Sequence, residues 1–221
     1  SQPHPIQSAV ADFDLDGNLD IAVTCEGHNS GKVSVLFNDG DADFGSSTEF
    51  VSYAAWGLRV DDFDADGWPD IATTAYGWAQ HGVRIYLNDH QRGFNFAAQT
   101  SSLGTPPVAL ASGDFDLDGV IDLAVASEGG GYSVDWFHGN GNGTFGSFHY
   151  VPYTSGLAGR RLVAGDFDGD GKCDLALGHS GGVMVLMNVA QSFEQFHVSN
   201  GPMPSTSAHA LAVADMDGDG R

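Results

Sequence analysis

Four nine-residue stretches carry Asp at positions 1, 3, 5 and 9: DFDLDGNLD at 12–20, DFDADGWPD at 62–70, DFDLDGVID at 114–122 and DFDGDGKCD at 166–174. A fifth, DMDGDG, supplies Asp215, Asp217 and Asp219 before Arg221. Carboxylates crowded this closely repel strongly in a low-dielectric site if left bare. The chemistry that accounts for them is capture of a hard cation. Ca²⁺ accepts about six to eight oxygen ligands in irregular geometry, Mg²⁺ wants a strict octahedron, and softer ions ask for His or Cys. The expected cofactor is therefore Ca²⁺, about four ions, one per complete motif, with the fifth site incomplete. Gly17, Gly67, Gly119 and Gly171 at position 6 permit a sharp bend with positive φ. Position 7 varies freely as Asn18, Trp68, Val120 and Lys172, as a ligand supplied by the backbone carbonyl would allow. Position 8 (Leu19, Pro69, Ile121, Cys173) is apolar each time and is expected to point inward.

The elements that hold these loops follow from the sequence between them. The motifs recur at steps of 50, 52, 52 and 49 residues. Each acidic loop is preceded by a short apolar run and followed by Asp-Ile-Ala-Val or a close variant. A Gly-rich turn and an alternating run come next, such as Lys32, Val33, Ser34, Val35, Leu36, Phe37. Period-two alternation, β-branched residues and Gly/Asn/Asp turns specify strands. Position 12 of each motif (Val23, Thr73, Val125, Leu177) falls inside a strand-like run, where an EF-hand would carry an acid at that position and a helix after it. Four short strands per unit of about fifty residues match one blade of a β-propeller. The expected fold is all-β, a single propeller over 1–221 with blade repeats at approximately 6–57, 58–107, 108–159 and 160–208. A partial repeat at 209–221 adds one extra strand.

The formal charge of −21 is concentrated in the loops. Four Asp in each complete motif and three in the partial one make 19 of the 29 acidic residues, and the ten others face eight Lys and Arg. Nothing forms a basic stripe, so nucleic acid is excluded as a partner. No apolar run reaches the roughly 20 residues of a membrane span. Two cysteines set no disulfide framework, and Cys173 occupies the slot of Leu19, Pro69 and Ile121, so it reads as a small core hydrophobe.

The unit D-F-D-x-D-G-x-x-D-[IL]-A-V, with its trailing Asn-Asp-Gly and Gly-Asn-Gly-Thr-Phe turns, resembles the FG-GAP/VCBS repeat family, which includes the calcium-binding blades of integrin α-subunits. The resemblance covers essentially the whole chain. It implies one Ca²⁺ between the first and second strands of each blade. Carried over by position, the ligands are Asp12, Asp14, Asp16, the Asn18 carbonyl and Asp20 in the first loop. The second has Asp62, Asp64, Asp66, the Trp68 carbonyl and Asp70. The third has Asp114, Asp116, Asp118, the Val120 carbonyl and Asp122, and the fourth has Asp166, Asp168, Asp170, the Lys172 carbonyl and Asp174. Two departures stand out: Asp61 adds a fifth carboxylate beside the second loop, and Pro69 stiffens it. Propellers of this family commonly have about seven blades, so the chain is expected to be part of a larger ring, completed by a missing segment or by a second copy.

Function is sought at the turns opposite the acidic loops, because successive turns of a meander alternate ends. His28, Asn29, Trp78, His81, Tyr132 and His179 lie there and combine aromatic faces with amide and imidazole donors, which suits a sugar. The expected role is a secreted or cell-surface recognition module for glycans or extracellular proteins, adhesin- or lectin-like, without catalytic residues. No G-x-S-x-G, H-E-x-x-H or phosphate-cradling loop is present. A propeller domain of a carbohydrate-active enzyme such as a polysaccharide lyase, and a purely structural module, stay open as alternatives.

Overall fold

Alternation of side chains makes each strand a ribbon with two distinct faces, and four such strands form the sheet of one repeat. The computed structural model describes residues 4–26, 31–52, 55–76, 81–100, 103, 105–128, 133–152, 159–179, 182–189, 192–198 and 212. Among the described residues, sixteen strands make four antiparallel sheets, each a meander in chain order, the blade of a β-propeller. The first sheet holds β1 (His4–Ala11), β2 (Asp20–Glu26), β3 (Lys32–Phe37) and β4 (Ser46–Val51). The second holds β5 (Leu58–Asp61), β6 (Asp70–Ala75), β7 (Gly82–Asn88) and β8 (Phe94–Gln99). The third holds β9 (Pro107–Gly113), β10 (Asp122–Ser127), β11 (Ser133–Gly139) and β12 (Phe145–Pro152). The fourth holds β13 (Gly159–Gly165), β14 (Asp174–His179), β15 (Gly182–Val189) and β16 (Ser192–Val198). The all-β class and the four four-stranded blades expected from the sequence are both present. The extra strand at 209–221 lies outside the described residues.

Two compact units emerge, Ser1–Pro107 with Gly139–Gly146, and Val108–His138 with Ser147–Arg221. In the first, the strict alternation of β3 buries Val33, Val35 and Phe37. These pack with Phe13, Ala22, Leu58, Ile71 and Tyr86 into one core. Phe13 meets Phe94 edge to face at 5.6 Å, a favoured ring geometry. In the second unit, Phe115, Ala124, Ala126, Val134, Trp136, Leu162, Leu175, Leu177, Met184 and Leu186 do the same work. The second strands β6, β10 and β14 are buried on both faces; β10 and β14 fill them mostly with apolar side chains, while β6 also buries Thr73 and Thr74, whose hydroxyls are hydrogen-bonded to Ser52 Oγ and to the Trp56 backbone N–H.

The antiparallel register fixes where the acidic loops lie. Ala11 pairs with Asp20, Asp61 with Asp70 and Gly165 with Asp174, so each loop joins the first strand to the second. One expectation fails. Position 8 does not turn inward in the first blade, where Leu19 is 61% exposed, although Pro69, Ile121 and Cys173 are half-buried. The side chain that anchors the loop is instead the Phe at position 2, buried as Phe13, Phe63 and Phe115, while Phe167 is exposed. Both cysteines are free thiols, and burial pushes the Cys173 thiol up to about 11.

Candidate metal centre

Each acidic loop is a self-hydrogen-bonded bend rather than a floppy turn. In the first, Asp12 accepts the Asp16 N–H (3.0 Å) on Oδ1 and the Gly17 N–H (2.8 Å) on Oδ2. Asp62 does so with Asp66 and Gly67, and Asp114 with Asp118 and Gly119. The position 5 carboxylates take the N–H two residues on, at 2.8 to 2.9 Å, in all four loops. The fourth loop is bonded one residue earlier: Gly169 at position 4 and Gly171 at position 6 donate to Asp166, and the Asp170 N–H goes to Asp168 Oδ1 instead. Such backbone donors hold the carboxylates against their mutual repulsion.

The bend needs left-handed backbone at two positions. Position 6 has φ of 93°, 88°, 87° and 84° at Gly17, Gly67, Gly119 and Gly171, as the sequence implied. Position 4 is left-handed too, and only the fourth loop supplies a glycine there, Gly169. Leu15, Ala65 and Leu117 hold φ of 56°, 62° and 63°, a strain of about 1 kcal/mol or more for residues bearing a Cβ.

The position 9 Asp ties loop to sheet. Asp20, Asp70, Asp122 and Asp174 are buried, and each accepts the position 2 backbone N–H on Oδ2, at 2.8 to 3.0 Å. Their Oδ1 atoms receive the Asn38, Asn88 and Asn188 N–H groups in the first, second and fourth sheets. Burial drives three of these acids upward despite the hydrogen bonds. Asp20 and Asp174 are raised, and Asp70 reaches about 7. Asp64 is raised by burial and then by the Asp66 charge. Groups this reluctant to ionise beside other acids favour either a proton or a cation.

Whether calcium fits can be tested on the donor set. Asp12, Asp14 and Asp20 each offer an oxygen within 4.8 Å of the others, as do Asp62, Asp64 and Asp66, and Asp114, Asp116 and Asp122. Asp64 Oδ1 is buried with no hydrogen-bond donor among the described residues. A bare buried carboxylate oxygen is costly unless a cation shares it. The set is all oxygen, mostly anionic and irregular, which fits Ca²⁺. Asp215, Asp217 and Asp219 lie outside the described residues.

Each loop also draws in one basic side chain, which sequence reading missed. Arg92, in the turn between β7 and β8, donates from Nε to Asp14 (2.7 Å), from Nη1 to Ser46 Oγ (2.8 Å) and from Nη2 to Asp39 (2.5 Å), and lies over the Phe37 ring. His90 meets Asp66 at 2.6 Å and stacks on Trp68. Lys172 pairs with Asp170 and holds that carboxyl below its usual range. His138 faces Asp116, Asp118 and Asp122. The only advance signal was basic or imidazole residues within reach of the motifs, and no spacing rule picks them out.

At the opposite turns, His28, Asn29, Trp78 and Tyr132 lie outside the described residues. His81 stacks on Tyr76 at 5.2 Å, and Tyr76 is 50% exposed. His179 closes β14 and is only 5% exposed. Trp56, 40% exposed, stands at the same end of the second sheet as Tyr76, with its N–H bonded to Thr74 Oγ1 at 2.9 Å. Tyr76 and Trp56 were not singled out in the sequence, because lone aromatics there look like core residues.

No curated protein matches the chain in sequence. Among solved structures, it is similar to a lectin from Agrocybe aegerita described for specific recognition of non-reducing terminal N-acetylglucosamine. The identity is 20%, covering 85% of this chain and 50% of the lectin, with a TM-score of 0.56, a likeness of fold. It also matches the V. cholerae biofilm matrix protein Bap1 at 19% identity, over 86% of this chain and 38% of that one, with a TM-score of 0.44. The chain thus spans half the length of the lectin. The repeats at 12–73, 62–125, 114–177 and 166–221 each match the FG-GAP-like repeat, and the chain belongs to that family.

Proposed function

We propose that this chain is an extracellular or cell-surface recognition module for a glycan or an extracellular protein, stabilised by Ca²⁺ in its acidic loops and without catalytic activity of its own. The observation that carries the recognition half is the exposed Tyr76, stacked on His81, with exposed Trp56 at the same end of the sheet. Aromatic faces pack against the apolar C–H face of a sugar, while an imidazole nitrogen bonds its hydroxyls. The lectin likeness is one of fold and makes a sugar ligand compatible with these blades. The calcium half rests on the oxygen-only carboxylate groups, and when bound the ion supplies charge neutralisation. Partly solvated carboxylate loops suit the weaker calcium sites of extracellular modules. The same commitment leaves the loop carboxylates unsuited to proton transfer.

A glycan array run with calcium and with chelator tests this reading. Binding is expected in calcium only, with Tyr76→Ala and Trp56→Ala losing it at least about tenfold, the scale of an aromatic anchor, at unchanged calcium stoichiometry. Turnover of a polysaccharide, or binding indifferent to both substitutions, would defeat it.

A further inference from the structure

The turn between β11 and β12 runs Asn140, Gly141, Asn142, Gly143, Thr144. Among the asparagines of the sequence, Asn142 alone is followed two residues later by Ser or Thr, and the residue between is not Pro. Asn-x-Ser/Thr is the acceptor pattern for an N-linked glycan. The pattern is short enough to arise by coincidence, so the surroundings of the asparagine must decide whether it can serve.

Asn142 and Thr144 are exposed, whereas Gly143 between them is buried. Gly143 donates its N–H to the Phe63 carbonyl at 2.9 Å, and at φ 75° a Cβ there would come within 2.9 Å of Leu87 Cδ2. The middle residue is thus pinned inward, and the two that carry the pattern stand outside. Asn142 Oδ1 accepts the Thr144 N–H at 3.1 Å and the Thr144 hydroxyl at 2.6 Å, while Asn140 Nδ2 donates to Thr144 Oγ1 at 2.9 Å. Both bonds of the Asn142 carboxamide go to its oxygen. Nδ2, the atom that would carry a sugar, makes no hydrogen bond among the described residues. Asn38, Asn88 and Asn188, which follow the third strands or lie near their ends in the other sheets, instead donate Nδ2 to backbone carbonyls.

We propose that Asn142 is an N-glycosylation site. Its Nδ2 attacks the anomeric carbon of an oligosaccharide carried on a lipid pyrophosphate. The nitrogen–carbon bond forms as the carbon–oxygen bond to the pyrophosphate breaks, Nδ2 loses one proton, and the lipid pyrophosphate departs. This rests on the extracellular reading given above, because the donor and its transferase act on chains that enter the secretory route. The turn is bonded through Phe63 to the second acidic loop, so it lies at the end of the second sheet opposite Tyr76 and Trp56. A glycan on Asn142 leaves that recognition end clear.

The full chain is secreted from a eukaryotic cell behind a cleavable leader. Peptide mass spectrometry follows glycosidase release in heavy-oxygen water, which labels the asparagine that bore the sugar. The label should fall on Asn142 in the majority of chains. Thr144→Ala should abolish it, Thr144→Ser, which keeps both the hydroxyl and the N–H, should retain it, and Asn140→Gln should leave it in place. Mapping the parent itself makes the result independent of how any variant folds. A secreted parent without label at Asn142, or a label that persists in Thr144→Ala, overturns the proposal. The glycan array on the same sample separates this outcome from the recognition reading: ligand binding without the label leaves that reading standing, and a labelled Asn142 with a blank array supports this site while counting against recognition. If neither label nor binding is found, both fail.

Discussion

Asp70 illustrates how a single residue links burial to ion binding. It sits almost fully inside, receives N–H bonds from Asn88 and Phe63, and burial still lifts it from the ordinary 3.8 to about 7. Between those values the native form holds its proton more tightly than the unfolded chain does. The stabilising contribution of Asp70 is therefore complete below about pH 3.8 and disappears as pH rises through about 7. Asp135, buried on β11 beside the Ser133 hydroxyl, is raised to about 6 by burial and acts in the same direction. In the proposed calcium site an ion bound through Asp70 would displace its proton, which would reverse the trend. The expected outcome is a melting-temperature gap between the parent and Asp70→Asn that narrows with rising pH in chelator and widens with rising pH in calcium. A gap that widens with pH in chelator would show that burial does not control this group.

At the level of elements, the turn between β7 and β8 acts on the loop between β1 and β2. Arg92 spans 78 residues of sequence to reach Asp14, and Thr48 Oγ1 donates to the Arg92 carbonyl at 2.6 Å. The guanidinium is 35% exposed, so its ion pairs are screened and contribute on the order of 1 kcal/mol. The side chain also shields the Phe37 ring, at 4.9 Å. An ion in the proposed first site would compete with Arg92 for Asp14 Oδ2. Arg92→Ala should lower stability in chelator by about 1 kcal/mol yet tighten calcium binding at one site, read by urea unfolding and by calorimetric titration. Equal weakening of both would mean that the guanidinium supports the bound ion rather than opposing it.

For the whole molecule, ions bound only to the native form add stability by mass action. A loop held at a hundredfold its dissociation constant gains about 2.7 kcal/mol. In a chain of this size each kcal/mol moves the melting temperature by roughly 2–4 °C. Chelation should therefore lower it by at least about 5 °C for each loop emptied, followed by calorimetry at matched ionic strength. A transition unmoved by chelator would remove the metal reading at its root. Ionic-strength matching matters because salt also screens carboxylate repulsion.

The sequence by itself determined the strands, their antiparallel order, the place of each acidic loop and the left-handed glycine at position 6. These follow from local causes: period-two alternation, turn residues and a bend that a Cβ would strain. Tertiary structure decided the rest. It turned Leu19 outward, buried Phe13 as the loop's anchor, carried Asn88 Nδ2 to the Phe13 carbonyl and set His138 against three carboxylates. It also drove position 4 into the left-handed region at Leu15, Ala65 and Leu117, against their intrinsic preference. The physical reason is common to all of these. Alternation fixes which face a residue takes, but which atoms meet across 70 residues depends on register and on packing between sheets, and neither is written in any local stretch.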